Sequence, residues 1–247
     1  MTAEIRVIPL LGIRELEEGD DLARLLVEAA ARAGGFEQDD VVVVAQKAVS
    51  KVEGRVVDLS EVEPSPKARE LAGDVDPRRI EVILRESREI LRTRPPLVIA
   101  ETRHGFVCAS AGVDASNAKG PDTLVLLPLD PDASAERLRT GIRELTGIVV
   151  GLIVSDSFGR AWRRGTTDVA LGVSGIVALL DLEGERDSTG YKLHATEIAV
   201  ADEIAGAAQL VMGKTDGIPA ATVRGVKAAG VGRGSDLLMP RERDLFR

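Results

Sequence analysis

One cysteine, two histidines and an aromatic content of only 2% leave this 247-residue chain little material for disulfide, zinc or ring-stacking chemistry. The single Cys108 excludes an intrachain disulfide framework and fits a reducing compartment. Between Phe106, Val107 and Ala109 it reads as a small buried hydrophobe rather than a nucleophile. His104 and His194 have no metal-ligand spacing, so a zinc site is not expected, and no Ser-His-Asp or Cys-His spacing supports nucleophilic catalysis. No apolar run approaches the ~20 residues that span a bilayer. The opening residues, Met1 to Arg6, lack the basic region and apolar stretch of a signal peptide. A soluble, cytoplasmic protein with no membrane partner is expected.

What is present is mostly aliphatic and charged. With aromatics scarce, Val, Leu, Ile and Ala must fill the core, and 247 residues suffice for one large domain or two lobes. Lys and Arg number 32 against 40 Asp and Glu, a net charge of -8. That balance argues against a general nucleic-acid surface, while local arginine clusters could still hold an anionic small molecule.

Helical and β-type segments alternate throughout. Strands are expected at Arg6 to Leu10, Val41 to Ala45, Leu97 to Ala100, Phe106 to Ala109, Leu124 to Leu127, Ile148 to Val154 and Ala220 to Arg224. A helix capped by Asp20 or Asp21 runs to about Arg32, before Gly34-Gly35. Others are expected from Pro77 to about Leu91, from Asp132 to Leu145 with Asp132 or Ser134 as cap, and from Thr196 to Gln209. Val169 to Val173 and Gly175 to Leu180 are apolar but Gly-broken, so either element type fits. The order is mixed, not a strict βαβ alternation. The expected fold class is therefore α+β (mixed α/β), with mixed sheets flanked by helices and no secure internal domain boundary over 1–247.

Three segments concentrate polar chemistry at the ends of expected strands. Ser155 to Gly165 (SDSFGRAWRRG) follows an apolar strand and reads as its exit loop. Its carboxylate and hydroxyls suit Mg²⁺ or Mn²⁺, and its guanidinium groups suit phosphate or carboxylate; a strand end with a solvated basic turn is the plain alternative. Ala45 to Arg55 places Lys47 and Lys51 four apart, on one face if the stretch is helical, where they could hold phosphates or simply face water. Ala111 to Asn117 (AGVDASN) puts Asp114 and Asn117 in a turn-forming stretch, as a metal ligand and a ligand-bonding amide or as an Asx-turn. Two carboxylates from separate strand ends can fix a divalent cation alongside phosphates, so Asp114 and Asp156 form the pair of interest. Met212 to Thr215 mimics a P-loop tail, but Ala208 stands where the first Gly belongs and a helix leads in; only a backbone phosphate contact is expected. Gly230 to Gly234 reads as a loop.

Together, Pro9 to Asp21 (PLLGIRELEEGDD), Gln46 to Arg55 (QKAVSKVEGR), Ala111 to Asn117, Ser155 to Gly165 and Thr196 to Ile204 (TEIAVADEI) resemble the γ-glutamyl ligases of coenzyme F420 biosynthesis, in the family's order and across most of the chain. The resemblance implies a GTP-dependent amide ligase that joins L-glutamate to F420-0 through an acyl phosphate and adds further γ-linked glutamates. It implies a family-specific fold with two lobes in an intertwined homodimer, two ions of Mn²⁺ or Mg²⁺, and K⁺ as a further candidate. By matching position, Asp114 and Asp156 would hold one cation and Ser157 a second, with Asp114, Asp156 and Lys51 carrying the catalysis. GTP would meet Gly12, Ile13, Arg14, Glu15 and Leu16, then Gln46, Lys51 and Asn117, and the turn Met212, Gly213, Lys214, Thr215, Asp216, Gly217, Ile218 and Pro219.

Charge alone makes Arg160, Arg163 and Arg164 candidates for the substrate's phosphodiester or glutamate carboxylates. Lys214 departs from the family, where an uncharged polar side chain nearby can complete the second metal site; an ammonium cannot coordinate a cation. Some relatives carry a C-terminal flavin-binding reductase domain, and with the chain ending at Arg247 that activity is expected to be absent. Two rival readings are another metal-dependent nucleotide phosphotransferase or hydrolase, and a non-catalytic GTP-binding subunit.

Overall fold

Val41 to Val44 is apolar at every position because both faces of its strand are covered. In the computed structural model, which describes residues 4–116, 120 and 122–246, these residues form β2 (Val41–Ala45) at the centre of the main sheet. β1 (Arg6–Pro9) leads into α1 (Leu22–Arg32), which Asp21 caps by accepting from the Arg24 N–H at 3.0 Å. α2 (Gln46–Val52) follows β2 without a linker. Next come β3 (Val56–Asp58), α3 (Pro66–Ala72), α4 (Pro77–Glu86), β4 (Ser87–Arg94), β5 (Leu97–Thr102), β6 (Val107–Ala109) and β7 (Thr123–Val125). The remainder is α5 (Pro131–Thr146), β8 (Gly151–Arg160), β9 (Arg163–Ser174), β10 (Leu180–Asp181), β11 (Glu197–Ile198), α6 (Val200–Met212) and β12 (Ala220–Arg224).

The main sheet has the order β1-β12-β2-β8-β9, with β2 and β8 parallel and every other neighbour antiparallel. Strand alternation sorts its side chains. Val42, Val44, Leu152 and Val154 pack with Leu26 of α1 and Ile142 of α5 on one face. Val41, Val43 and Ile153 pack with Ala201, Ile204 and Ala208 of α6 on the other. A smaller sheet, β4-β5-β6, is covered by α3 and α4 through Ala68, Ile80, Ile83, Val98 and Ala100. β3 pairs with β7, and β10 with β11. The mixed α/β class expected from the element order is what forms.

Several local expectations are corrected. The helix beginning at Pro77 stops at Glu86, and Ser87 to Arg94 form a strand although Leu, Arg and Glu favour helix; pairing with β5 from Ser87↔Thr102 to Arg94↔Leu97 overrides propensity. α5 is capped by Asp130, which accepts from the Ala133 N–H at 2.9 Å, because Pro131 is suited to the first helical position. Asp132 instead accepts from the backbone N–H groups of Val173 and Gly234, and Ser134 lies inside the helix. The helix expected from Thr196 begins at Val200, since Glu197 and Ile198 pair with β10.

The largest correction concerns Ser155 to Gly165. It is not an exit loop: β8 continues to Arg160, turns through Ala161 and Trp162, and returns as β9, with Ser157↔Asp168 and Phe158↔Thr167 as cross-strand partners. Val169 to Val173 is the inner half of β9, whereas Gly175 to Leu179 form no strand or helix.

Arg224 is the last residue of β12, between β1 and β2. Its guanidinium grips the buried Asp40 in a two-pronged pair, Nε to Oδ1 and Nη2 to Oδ2, both at 2.8 Å. Arg224→Met would leave Asp40 (1% exposed) without its counter-ion, and urea unfolding should show a loss of about 3–5 kcal/mol.

Candidate active site

The parallel register Ala45↔Ser155 sets the end of β2 beside the middle of β8. Beyond Ala45 the chain coils at once into α2, and the turn after α6 runs back toward β12 across the same edge. These segments, with the Ile13 to Leu16 stretch, enclose a cavity of about 240 Å³. Ser155, Asp156, Ser157 and Asp168 line it from the β8-β9 pair, and Gln46, Lys47 and Lys51 from α2. Met212, Gly213, Lys214, Thr215, Gly217, Ile218 and Pro219 close the far side. Gly213 allows that turn: its φ is +60°, and a Cβ there would run into the Asp216 carboxylate.

Most residues implied in nucleotide contact thus converge from three distant stretches of chain. Gly12 and Asp216 belong to the same turns without lining the cavity themselves. Asn117 lies outside the described residues. Arg14 is tied to Asp20 through two bonds of 2.6 and 2.7 Å, and Lys51 forms an ion pair with Glu15. Gln46 is 1% exposed; its Oε1 accepts from Ser50 Oγ at 2.9 Å, while its Nε2 has no hydrogen-bond partner. A buried amide donor left unpaired at a cavity wall is costly unless a ligand supplies an acceptor.

Lys47 links the two aspartates. Its Nζ lies 2.6 Å from Asp114 Oδ2, and its charge also acts on Asp156. Asp114 additionally accepts from the Ser116 N–H at 2.7 Å and from Ser116 Oγ at 2.9 Å, the Asx-type turn its sequence allowed. Burial pushes the Asp114 carboxyl up, but the hydrogen bonds and charge of Lys47 and the bonds from Ser116 outweigh it and hold it below the usual range. Asp156 goes the other way. Burial raises it to about 6, the nearby Asp168 adds to the rise, and the Ser157 N–H, Lys47 and Lys214 offset only part. Two acids at one site with opposite shifts is the pattern of a functional cavity.

The donors are hard oxygens, the chemistry that suits Mg²⁺ or Mn²⁺. Among the described residues no three His, Cys, Asp or Glu side chains group as a metal cage. A cation at Asp114 and Asp156, and a second at Ser157, would therefore draw further ligands from substrate phosphates, as Mg²⁺ commonly does. Asp156, half-buried at the cavity wall and with no side-chain partner among the described residues, fits such an ion.

Arg160, Arg163 and Arg164 are placed elsewhere. They sit on the exposed tip of the β8-β9 hairpin, outside the cavity wall, with Arg160 Nη2 donating to the Arg164 carbonyl at 3.3 Å. Cys108 is buried, its thiol pushed up to about 12 by burial and by Asp156, which leaves it inert as a nucleophile. Asp168 was not singled out from sequence. The one available signal was an acidic residue directly before the apolar run Val169 to Val173, which a buried strand tolerates only with partners. Among the described residues no helix is long and apolar enough to cross a membrane.

A family model described as F420-0:Gamma-glutamyl ligase matches residues 11–225. The chain is 48% identical over 217 residues, 86% of each sequence, to a protein of Methanocaldococcus jannaschii named Coenzyme F420:L-glutamate ligase. Proteins of the same name from Methanopyrus kandleri and Archaeoglobus fulgidus are 44% and 43% identical, each matching 98% of this chain.

The raised Asp156 carboxyl has a measurable consequence. Between the ordinary carboxylate pKa of 3.8 and about 6 the folded protein holds a proton that the unfolded chain has lost. Stability without ligands should therefore fall as pH rises through that window. Asp156→Asn should abolish the fall and raise stability at pH 7 by roughly 1–3 kcal/mol, allowing for screening by cavity water. Thermal melts of both proteins between pH 4 and 8 check this.

Proposed function

The chain belongs to the F420-0:gamma-glutamyl ligase family, and from that premise we propose that it joins L-glutamate to F420-0 by an amide bond, with GTP as the activating co-substrate. The observation that carries the reading is the cavity that Gln46, Lys47, Lys51 and Lys214 line together with Asp156. Three ammonium groups and an unpaired amide donor, set against carboxylates from separate strand ends, suit a triphosphate with its divalent cation.

The reaction follows from the inertness of a carboxylate toward amines. A carboxylate oxygen of F420-0 attacks the γ-phosphorus of GTP, the bond to the β-phosphate oxygen breaks, and GDP leaves. The glutamate amine then attacks the acyl carbon of the resulting acyl phosphate, the carbon–oxygen bond to phosphate breaks, and the amine loses its proton. Both steps depend on positioning and on charge neutralisation.

Lys51 and Lys47 leave their carboxylate partners, Glu15 and Asp114, to meet phosphate oxygens. Asp114 and Asp156 would hold one Mn²⁺ or Mg²⁺ ion and Ser157 a second, and the ions would supply neutralisation of the triphosphate charge. Lys214 cannot serve as a metal ligand, and in this reading it pairs with phosphate. Gln46 Nε2 donates to the nucleotide. The exposed guanidiniums of Arg160, Arg163 and Arg164 receive the acidic groups of substrate that extend beyond the cavity. Further γ-linked additions and the intertwined homodimer belong to the same proposal.

Incubation with F420-0, L-glutamate, GTP and Mn²⁺, followed by mass spectrometry of the deazaflavin, should show mass gains in glutamate-sized steps. GTP consumption that needs neither F420-0 nor glutamate would instead mark a nucleotide hydrolase. Gln46→Leu should raise the KM for GTP about tenfold or more, the cost of losing a hydrogen bond to a charged acceptor.

A further inference from the structure

We propose that Asp168 is a positioning residue of this site, holding the Ser155 and Ser157 hydroxyls so that oxygen lone pairs, not protons, face the cavity. The inference rests on reading the cavity as a site for a nucleotide and a divalent cation. Asp168 is buried, and both of its oxygens are engaged: Oδ2 accepts from Ser155 Oγ at 3.0 Å and Oδ1 from Ser157 Oγ at 2.6 Å. A carboxylate is an acceptor only, so each serine spends its one proton on it.

Gln209 of α6 fixes the arrangement from behind. Its Oε1 accepts the Asp168 backbone N–H at 3.1 Å, which turns its Nε2 toward Ser157 Oγ, 3.4 Å away. Ser157 Oγ thus donates once and accepts once, and one lone pair remains on an atom at the cavity wall. An oxygen presented in this way can ligate a hard cation, whereas a freely rotating hydroxyl must first be ordered. Outer partners of metal ligands commonly change affinity by about 10–100-fold when removed.

The strand register makes the device possible. Ser157 and Asp168 are direct cross-strand partners, and Ser155, two residues back, lies on the same face of β8. Asp156, between them, points to the opposite face. One β-hairpin therefore supplies a charged group and two hydroxyls whose orientation is set independently of it.

Asp168→Asn keeps the shape but replaces one acceptor oxygen with an N–H donor, so one serine must turn its proton elsewhere. With GDP present, Mn²⁺ binding followed by electron paramagnetic resonance should weaken by about 10–100-fold, and turnover should recover at high Mn²⁺ while the melting curve stays cooperative. In a Ser157→Ala background the same change should weaken Mn²⁺ binding by no more than about twofold further, because the two act as one unit.

Equal Mn²⁺ affinity in Asp168→Asn and the wild type, or full additivity with Ser157→Ala, would overturn the inference while leaving the nucleotide site intact. Absence of Mn²⁺ binding by the wild type with GDP would overturn the reading of the cavity itself. Should Asp168→Asn not fold, Gln209→Met removes the support from α6 and should weaken Mn²⁺ binding in the same direction; unchanged affinity there also counts against the proposal.

Discussion

The parallel pairing of β2 with β8 is the constraint on which the site depends. Register Val41↔Gly151 through Ala45↔Ser155 brings the first residue of α2 level with Asp156, although more than a hundred residues separate them. Parallel strands require their connection to travel the length of the sheet and back. Here that connection contains the smaller sheet, its two helices and the turn bearing Asp114. Asp114 therefore reaches the site from outside the main sheet, and Lys47 fastens it there across 2.6 Å.

The electrostatics follow from this placement. Asp114 meets its counter-ion and hydrogen-bond donors directly, so charge is favoured there. Asp156 has no such direct partner among the described residues: desolvation and the nearby Asp168 resist its charge, and its cationic neighbours act only through space. A chain with a net charge of -8 has thus gathered Lys47, Lys51 and Lys214 at one cavity. Local concentration of cations, not overall sign, governs which small molecules such a pocket attracts.

The hairpin β8-β9 shows why parts of the site were hard to read from residues alone. Ser-Asp-Ser followed by Gly and Arg carries the marks of a loop, yet cross-strand pairing with Thr166, Thr167 and Val169 keeps it extended. That pairing moves Arg160, Arg163 and Arg164 to an exposed tip and brings Asp168 into the cavity. No periodic pattern in Gly165 to Asp168 announces that outcome, because strand identity there comes from the partner and not from propensity. Ser87 to Arg94 is a similar case, a helix-favouring stretch drawn into a strand by β5.

Sequence by itself determined the mixed α/β class, the buried strand Val41 to Ala45, a helix cap at Asp20 or Asp21, and the acidic and basic residues around which chemistry could gather. Those are local matters: periodicity, capping and turn preference act within a few residues. Tertiary structure alone decided that Lys47 stands with both Asp114 and Asp156, that Gln46 keeps an unpaired amide at the cavity, and that Asp168 grips two serines. Each of these needs groups from strands or helices far apart in the chain to meet within hydrogen-bond distance or the reach of a charge, and only sheet register and packing set such distances.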